Sequence, residues 1–171
     1  MVSHEAKHTI SVLVENEFGV LTRVAGLFSG RGFNIESLSV APTLDDSISR
    51  MTIVTSGDDR ILEQITKQLN KLIDTIKVID FTDSEYVERE LALIKVQATE
   101  DTRAEILRIV DIFRGNVVDV TARSYTMEIT GAPSKIQAVV DLLKPIGIQE
   151  LVRSGPVVLG RGAKGGLSDK G

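Results

Sequence analysis

The stretch "TISVLVENEFGVLTRVAGLFSGRGFNIESLSV", Thr9–Val40, decides the fold. Ile10, Val12 and Val14 alternate with other residues, the period of a half-buried strand. The period then changes. Val20, Val24, Leu27 and Phe28 recur at helical spacing, with Leu21 beside them. Gly32 stands where a left-handed helix cap is usual, and a second strand, "NIESLSVAP", follows. "TLDDS" (43–47) joins it to "ISRMTIVTS" as a hairpin. Asp58 is placed to cap a second helix, with Ile61, Ile65, Leu69, Leu72 and Ile73 as its stripe. "TIKVIDF" closes the unit.

The same order then repeats. "LALIKVQA" is a strand, and Ile106, Ile109, Val110 and Phe113 form a helix stripe. "NVVDVTA" and "SYTMEIT" make a hairpin. Pro133 opens another helix, striped by Ile136, Val139, Val140 and Leu143, and "IQELVRS" ends the unit. Asn34–Ile35 in the first copy matches Asn116–Val117 in the second. The expected fold is α+β: two tandem ferredoxin-like βαββαβ units, each with helices on one face of an antiparallel sheet. The first covers 1–82 and the second 91–154. Charged "TDSEYVERE" is read as the linker (83–90), and 155–171 as a flexible, Gly-rich basic tail. Units this small bury only about 60% of their surface, so pairing is expected. "IESLSVA" is an edge strand without Pro or Lys, and such edges pair with another strand.

The 171 residues carry a net charge of −4, which disfavours nucleic acid and anionic membranes as partners. There is no cysteine, hence no disulfide, thiolate zinc site or copper-chaperone Cys pair. No apolar run approaches the roughly 20 residues of a membrane span, and "MVSHEAKHT" lacks a signal-peptide core. A cytoplasmic protein is expected. RNA-recognition domains share the topology, but they stack bases on aromatic side chains that "TISVLV" and "SRMTIVTS" lack.

The two copies differ where their first helices begin. "EDTRAE" offers Thr102 and Glu105 as a capping box, with Asp101 beside the helix N-terminus. The first copy has Gly19 there, followed by Val20, Leu21 and Thr22, so its free N–H groups have fewer local acceptors. Such an end attracts anions, and glycine allows close approach to the backbone. A carboxylate suits the N–H groups, Asn16 and Asn34 offer amide oxygens to an ammonium group, and the surrounding Val, Leu and Ile suit a small apolar side chain. A branched-chain amino acid meets all three demands. The other reading is that Asn16 caps the helix and Gly19 only makes a tight turn.

"SVLVENEFGVLTRVAGLFSGRGFNIESLSVAPT" resembles the opening of the small subunits of acetolactate synthase, and its strand–loop–Gly–helix resembles the ACT domain. The likeness continues through "SRMTIVTSGDDRILEQITKQLNKLIDTIKV", "ERELALIKV", "FRGNVVDVT" and "ELVRSGPVVLGRG", over about residues 8–162. The resemblance implies a non-catalytic regulatory subunit. It would activate a separate catalytic subunit carrying thiamine diphosphate, magnesium and FAD, and confer feedback inhibition by valine, sometimes leucine or isoleucine. It further implies a homodimer through the first unit, with the effector at the interface. Asn16, Gly19, Val20 and Leu21 would come from one protomer, Asn34 and Ile35 from its neighbour. A stand-alone ACT-type regulator of another enzyme is the alternative. Phe18 departs from the Pro or small residue that often precedes this glycine. It stands either beside the pocket or in the dimer contact.

Other signals carry less. "GRGAKG" (160–165) spells a dinucleotide fingerprint without the strand and helix it needs. His4 and His8 are read as part of a mobile N-terminus, Asp45 and Asp46 as turn residues, and Asp83, Glu85, Glu88 and Glu90 as a solvated linker. No metal-ligand spacing or Ser–His pair points to a metal site or to catalysis.

Overall fold

The computed structural model describes residues 6–162. They form two compact units. One holds residues 6–87 and 158–162; the other is Glu88–Val157. The first contains β1 (Lys7–Glu15), α1 (Val20–Gly30), β2 (Asn34–Pro42), β3 (Ile48–Ser56), α2 (Asp59–Lys71) and β4 (Thr75–Asp80). β5 (Tyr86–Gln97) leads into the second, with α3 (Arg103–Ile112), β6 (Asn116–Val120), β7 (Ser124–Gly131), α4 (Pro133–Leu143) and β8 (Ile148–Arg153). A last strand, β9 (Val157–Gly160), pairs with β5. Among the described residues no helix is long and apolar enough to cross a membrane.

The first sheet has the order β2-β3-β1-β4 and the second β6-β7-β5-β8, both antiparallel. This is the expected βαββαβ arrangement, twice. Each unit has its own core. Ile10, Val12 and Val14 pack with Val20, Val24 and Phe28 of α1 and Ile65 and Leu69 of α2. Ala92, Ile94 and Val96 do the same with Ile106, Val110, Ile136 and Val140. The repeat reaches the irregularities. The register of β2 on β3 shifts between Ile35 and Ser37, and that of β6 on β7 between Val117 and Asp119. β1 slips on β4 at Leu13/Val14, and β5 on β8 at Lys95/Val96. Gly32 caps α1 at φ 71°, and the matching Arg114 holds φ 55°, the one non-glycine residue with positive φ among those described. An arginine accepts the left-handed turn here because the helix ending, rather than the residue, dictates it.

β2 is an edge strand, as its position in the pattern predicts. Asp58 caps α2 by accepting from the Arg60 N–H at 2.8 Å. In the 43–47 turn Asp45 accepts from the Ser47 hydroxyl at 2.6 Å and its N–H at 2.9 Å. These bonds hold the Asp45 carboxyl below its ordinary pKa.

Several expectations are corrected. The α2 stripe holds Leu62, which the expected one left out, with Ile65 and Leu69 buried and Ile61 and Leu72 packed partly against the core; the chain turns extended at Leu72, which throws Ile73 out to solvent. Most of the stretch read as a linker is strand, because β5 begins at Tyr86. Glu90, read there as solvated, is buried, and Arg153 forks onto its carboxylate through Nε (2.8 Å) and Nη2. The tail, read as flexible from 155, contains β9, with Val158 buried and its carbonyl accepting from Arg50 at 3.0 Å. Residues 163–165 of "GRGAKG" lie outside the described residues, as does His4. His8 is a buried residue of β1 instead of part of a mobile end. Its Nδ1 lies 3.2 Å from Thr82 Oγ1 and its Nε2 3.3 Å from the Gly57 carbonyl.

The Glu90–Arg153 pair sets a stability test for the second unit. Arg153→Met leaves a buried carboxylate without its countercharge. We expect it to cost about 3–5 kcal/mol in urea unfolding, whereas Glu90→Gln in the same background should recover part of that loss.

Candidate functional site

The site is built from the end of β1 outward. β1 must stop at Glu15, because its neighbours stop there too: Glu15 is opposite Ile48, and Val14 is opposite Thr75. Asn16 then staples the loop to the β2–β3 hairpin. Its N–H donates to the Ser47 carbonyl at 2.7 Å and its side-chain Nδ2 to the Asp46 carbonyl at 3.0 Å. On the other side the Glu15 N–H donates to the Asp74 carbonyl at 2.9 Å. The Asn16 amide is thus a loop staple and does not cap α1.

Gly19 is the residue before α1, with φ +80° and ψ −6°. No side chain hydrogen-bonds the helix start, and the first turn holds no acidic residue. The first N–H groups of a helix have no partner inside it, and together they present about half a positive charge. Val20 is buried in the core, so only its backbone faces the loop end; Leu21 is half exposed.

Arg23 is the residue that sequence reasoning missed. A Cβ on Gly19 would lie 3.1 Å from its guanidinium Nη1, so this cation sits over the open helix start. A cation near a helix N-terminus is unfavourable unless something offsets it. Asp74, almost fully buried, does so: Arg23 reaches its Oδ2 through Nε at 2.8 Å and Nη2 at 2.6 Å. The signal in the sequence was a basic residue in the first turn of a helix without an acid there. Its partner, 51 residues away, could not be read.

Asn34 and Ile35 lie past the other end of α1. Eleven residues at 1.5 Å each put them about 16 Å from Gly19. One chain therefore brings Asn16, Gly19, Val20 and Leu21 together and leaves Asn34 and Ile35 apart from them. The Asn34 side chain is exposed, its carbonyl accepts from Thr55 Oγ1 at 2.7 Å, and Ile35 packs partly against the core. Phe18 is fully exposed and lines nothing in the chain itself.

In the second unit α3 starts differently, though not through the expected capping box. Thr102 makes no capping bond, and Glu105 pairs with Arg108. Like α1, α3 begins without a side-chain cap, and its first N–H groups turn to the backbone of Thr99. The Thr99 N–H donates to Thr102 Oγ1 at 2.9 Å, the two hydroxyls are 3.1 Å apart, and the Thr99 carbonyl accepts the Arg103 N–H. The contrast with α1 is one of charge: α3 carries Glu105 in its first turn, and α1 carries no acid there.

Fold and helix start together define an ACT-type regulatory module followed by a second unit of like topology. Residues 10–77 match the model described as the AHAS small subunit-like ACT domain, and residues 89–162 match the one described as the small subunit of acetolactate synthase. The acetolactate synthase small subunit of Aquifex aeolicus is 56% identical over 156 residues, 91% of this chain and 81% of that protein. That of Mycobacterium bovis is 55% identical over 158 residues, 92% of this chain and 94% of that one. Among solved structures, the acetolactate synthase small subunit of Thermotoga maritima superposes with TM-score 0.84 at 43% identity, covering 92% and 98% of the two chains. The chain belongs to the acetolactate synthase small-subunit family.

Gly19→Asp tests the open helix start. Any side chain at φ +80° costs about 1–2 kcal/mol, and Gly19→Ala isolates that strain. The aspartate adds a carboxylate beside Arg23. We expect Gly19→Ala to melt at a lowered temperature and Gly19→Asp to recover part of that loss, because its carboxylate meets the helix N-terminus and Arg23; equal melting of the two counts against an open, positive helix start.

Proposed function

We propose that this regulatory subunit raises the activity of an acetolactate synthase catalytic subunit in the cytoplasm and makes it sensitive to feedback inhibition by valine, with leucine and isoleucine as related effectors. The condensation chemistry, with its thiamine diphosphate, magnesium and FAD, belongs to the catalytic partner. The observation that carries the reading is the bare N-terminus of α1, with Gly19 open to the backbone and the Arg23 guanidinium beside it.

The effector carboxylate docks on the N–H groups of Val20 and Leu21, where the helix charge favours it. The half-exposed Leu21 offers apolar surface to a branched side chain. The ammonium group is met by Asn34 of a neighbouring protomer, with Ile35 beside it. The free edge of β2 supports this arrangement: pairing two such edges continues the sheet and removes the exposed ladder groups. Effector binding then ties two protomers together. A coupling of about 1–3 kcal/mol between effector and catalytic-subunit binding is typical of allostery and corresponds to a 5- to 150-fold change in affinity.

Reconstitution with the catalytic subunit tests the proposal. Adding the chain should raise acetolactate formation, and valine should reverse the rise. Asn34→Ala should weaken valine by about 1–3 kcal/mol while activation survives. A catalytic subunit that gains no activity from the chain, or an inhibited complex indifferent to all three amino acids, contradicts it.

A further inference from the structure

Three large apolar side chains of the first unit stand almost wholly in solvent: Phe18 at 104% exposure, Leu44 at 97% and Ile73 at 93%. Single exposed apolar residues are ordinary and need no account. These three are different because of where the topology puts them. Phe18 is on the β1–α1 loop, Leu44 on the β2–β3 turn and Ile73 on the α2–β4 connection. The strand order β2-β3-β1-β4 places all three connections at the Glu15 end of the sheet. At about 4.8 Å between strands, the three span roughly 10–15 Å.

The connections are also fixed to one another. Asn16 bonds the first to the Asp46 and Ser47 carbonyls of the second. The Glu15 N–H and the Arg23 side chain bond the first unit's loop and helix to Asp74 of the third. The apolar tips are therefore presented on a braced frame, and none packs on the core. Their surroundings are acidic. Residues 15–19, 43–47 and 72–74 hold five carboxylates and no basic side chain, and Arg23 neutralises that of Asp74. The carboxylates of Glu15, Glu17 and Asp74 come within 4.8 Å of one another.

We propose that this loop end is the surface through which the first unit docks on the catalytic subunit, at apolar pockets flanked by Lys or Arg. The inference rests on the regulatory reading above and adds the place of contact. A second copy of this chain fits the surface poorly. A two-fold contact would set the same patch against itself and bring like carboxylates together. The free edge of β2, suited to self-pairing, runs along the side of the sheet and not across this end. Docking here sets the partner beside Gly19 and Arg23, so that an effector on α1 acts on the contact directly.

The test measures binding of the full-length chain to the catalytic subunit by interferometry, with sedimentation and valine calorimetry on the same samples. The triple variant Phe18→Ser, Leu44→Ser, Ile73→Ser should bind the catalytic subunit at least tenfold more weakly, with its sedimentation unchanged, and Leu44→Ser with Ile73→Ser alone should weaken it too while leaving valine affinity as it was. A second variant, Glu17→Lys with Asp46→Lys, touches no core residue; it should also bind more weakly and lose part of the salt dependence. Undiminished binding by both variants overturns the proposed surface. So does a shift of the triple variant to monomer, which would make the patch a self-interface. Failure of the unaltered chain to bind the catalytic subunit would instead overturn the regulatory reading.

Discussion

An α-helix begins with backbone N–H groups that have no partner inside it, and the first unit leaves those of α1 without a side-chain cap. Much of the loop end follows from this. Gly19 is needed to enter the helix at φ +80° and to keep the approach clear. Arg23 adds positive charge to an end that is already positive. The buried carboxylate of Asp74 makes that tolerable and, in doing so, pins the α2–β4 connection against α1. Asn16, released from capping, braces the hairpin.

The repeat sharpens the meaning of that bare start. The two units share strand order, register shifts and even the left-handed helix ending at Gly32 and Arg114. Against such likeness, the helix starts stand apart in charge: Glu105 lies in the first turn of α3, whereas α1 has no acid there and Arg23 beside it. The second unit keeps the architecture and sets an acid in the corresponding first turn.

The elements were legible wherever burial on one face imposes a period. β1, α1, the β2–β3 hairpin and α4 read correctly because each must hide an apolar stripe. What escaped depends on partners distant in the chain. Glu90 reads as a solvated acid until Arg153 is brought to it across 63 residues, and the first residues of its strand, 86–90, read as a linker for the same reason. Ile73 continues the apolar spacing of α2, yet the helix ends before it. The site divides likewise. Gly19 and the bare start were visible in local sequence, whereas the roles of Arg23 and Asp74 and the bracing by Asn16 needed the fold. Thr102 and Glu105 read as a capping box, yet neither side chain caps α3: the Thr102 hydroxyl accepts from the Thr99 N–H and Glu105 pairs with Arg108.

Amide spectra of the nitrogen-15-labelled chain show whether the N–H groups at the start of α1 receive an effector carboxylate. On titration with valine, saturable shifts of the Gly19, Val20 and Leu21 amides are expected, with the Thr102–Glu105 amides of the second unit unmoved. Shifts confined to other residues, or equal shifts at both helix starts, would contradict the proposed docking.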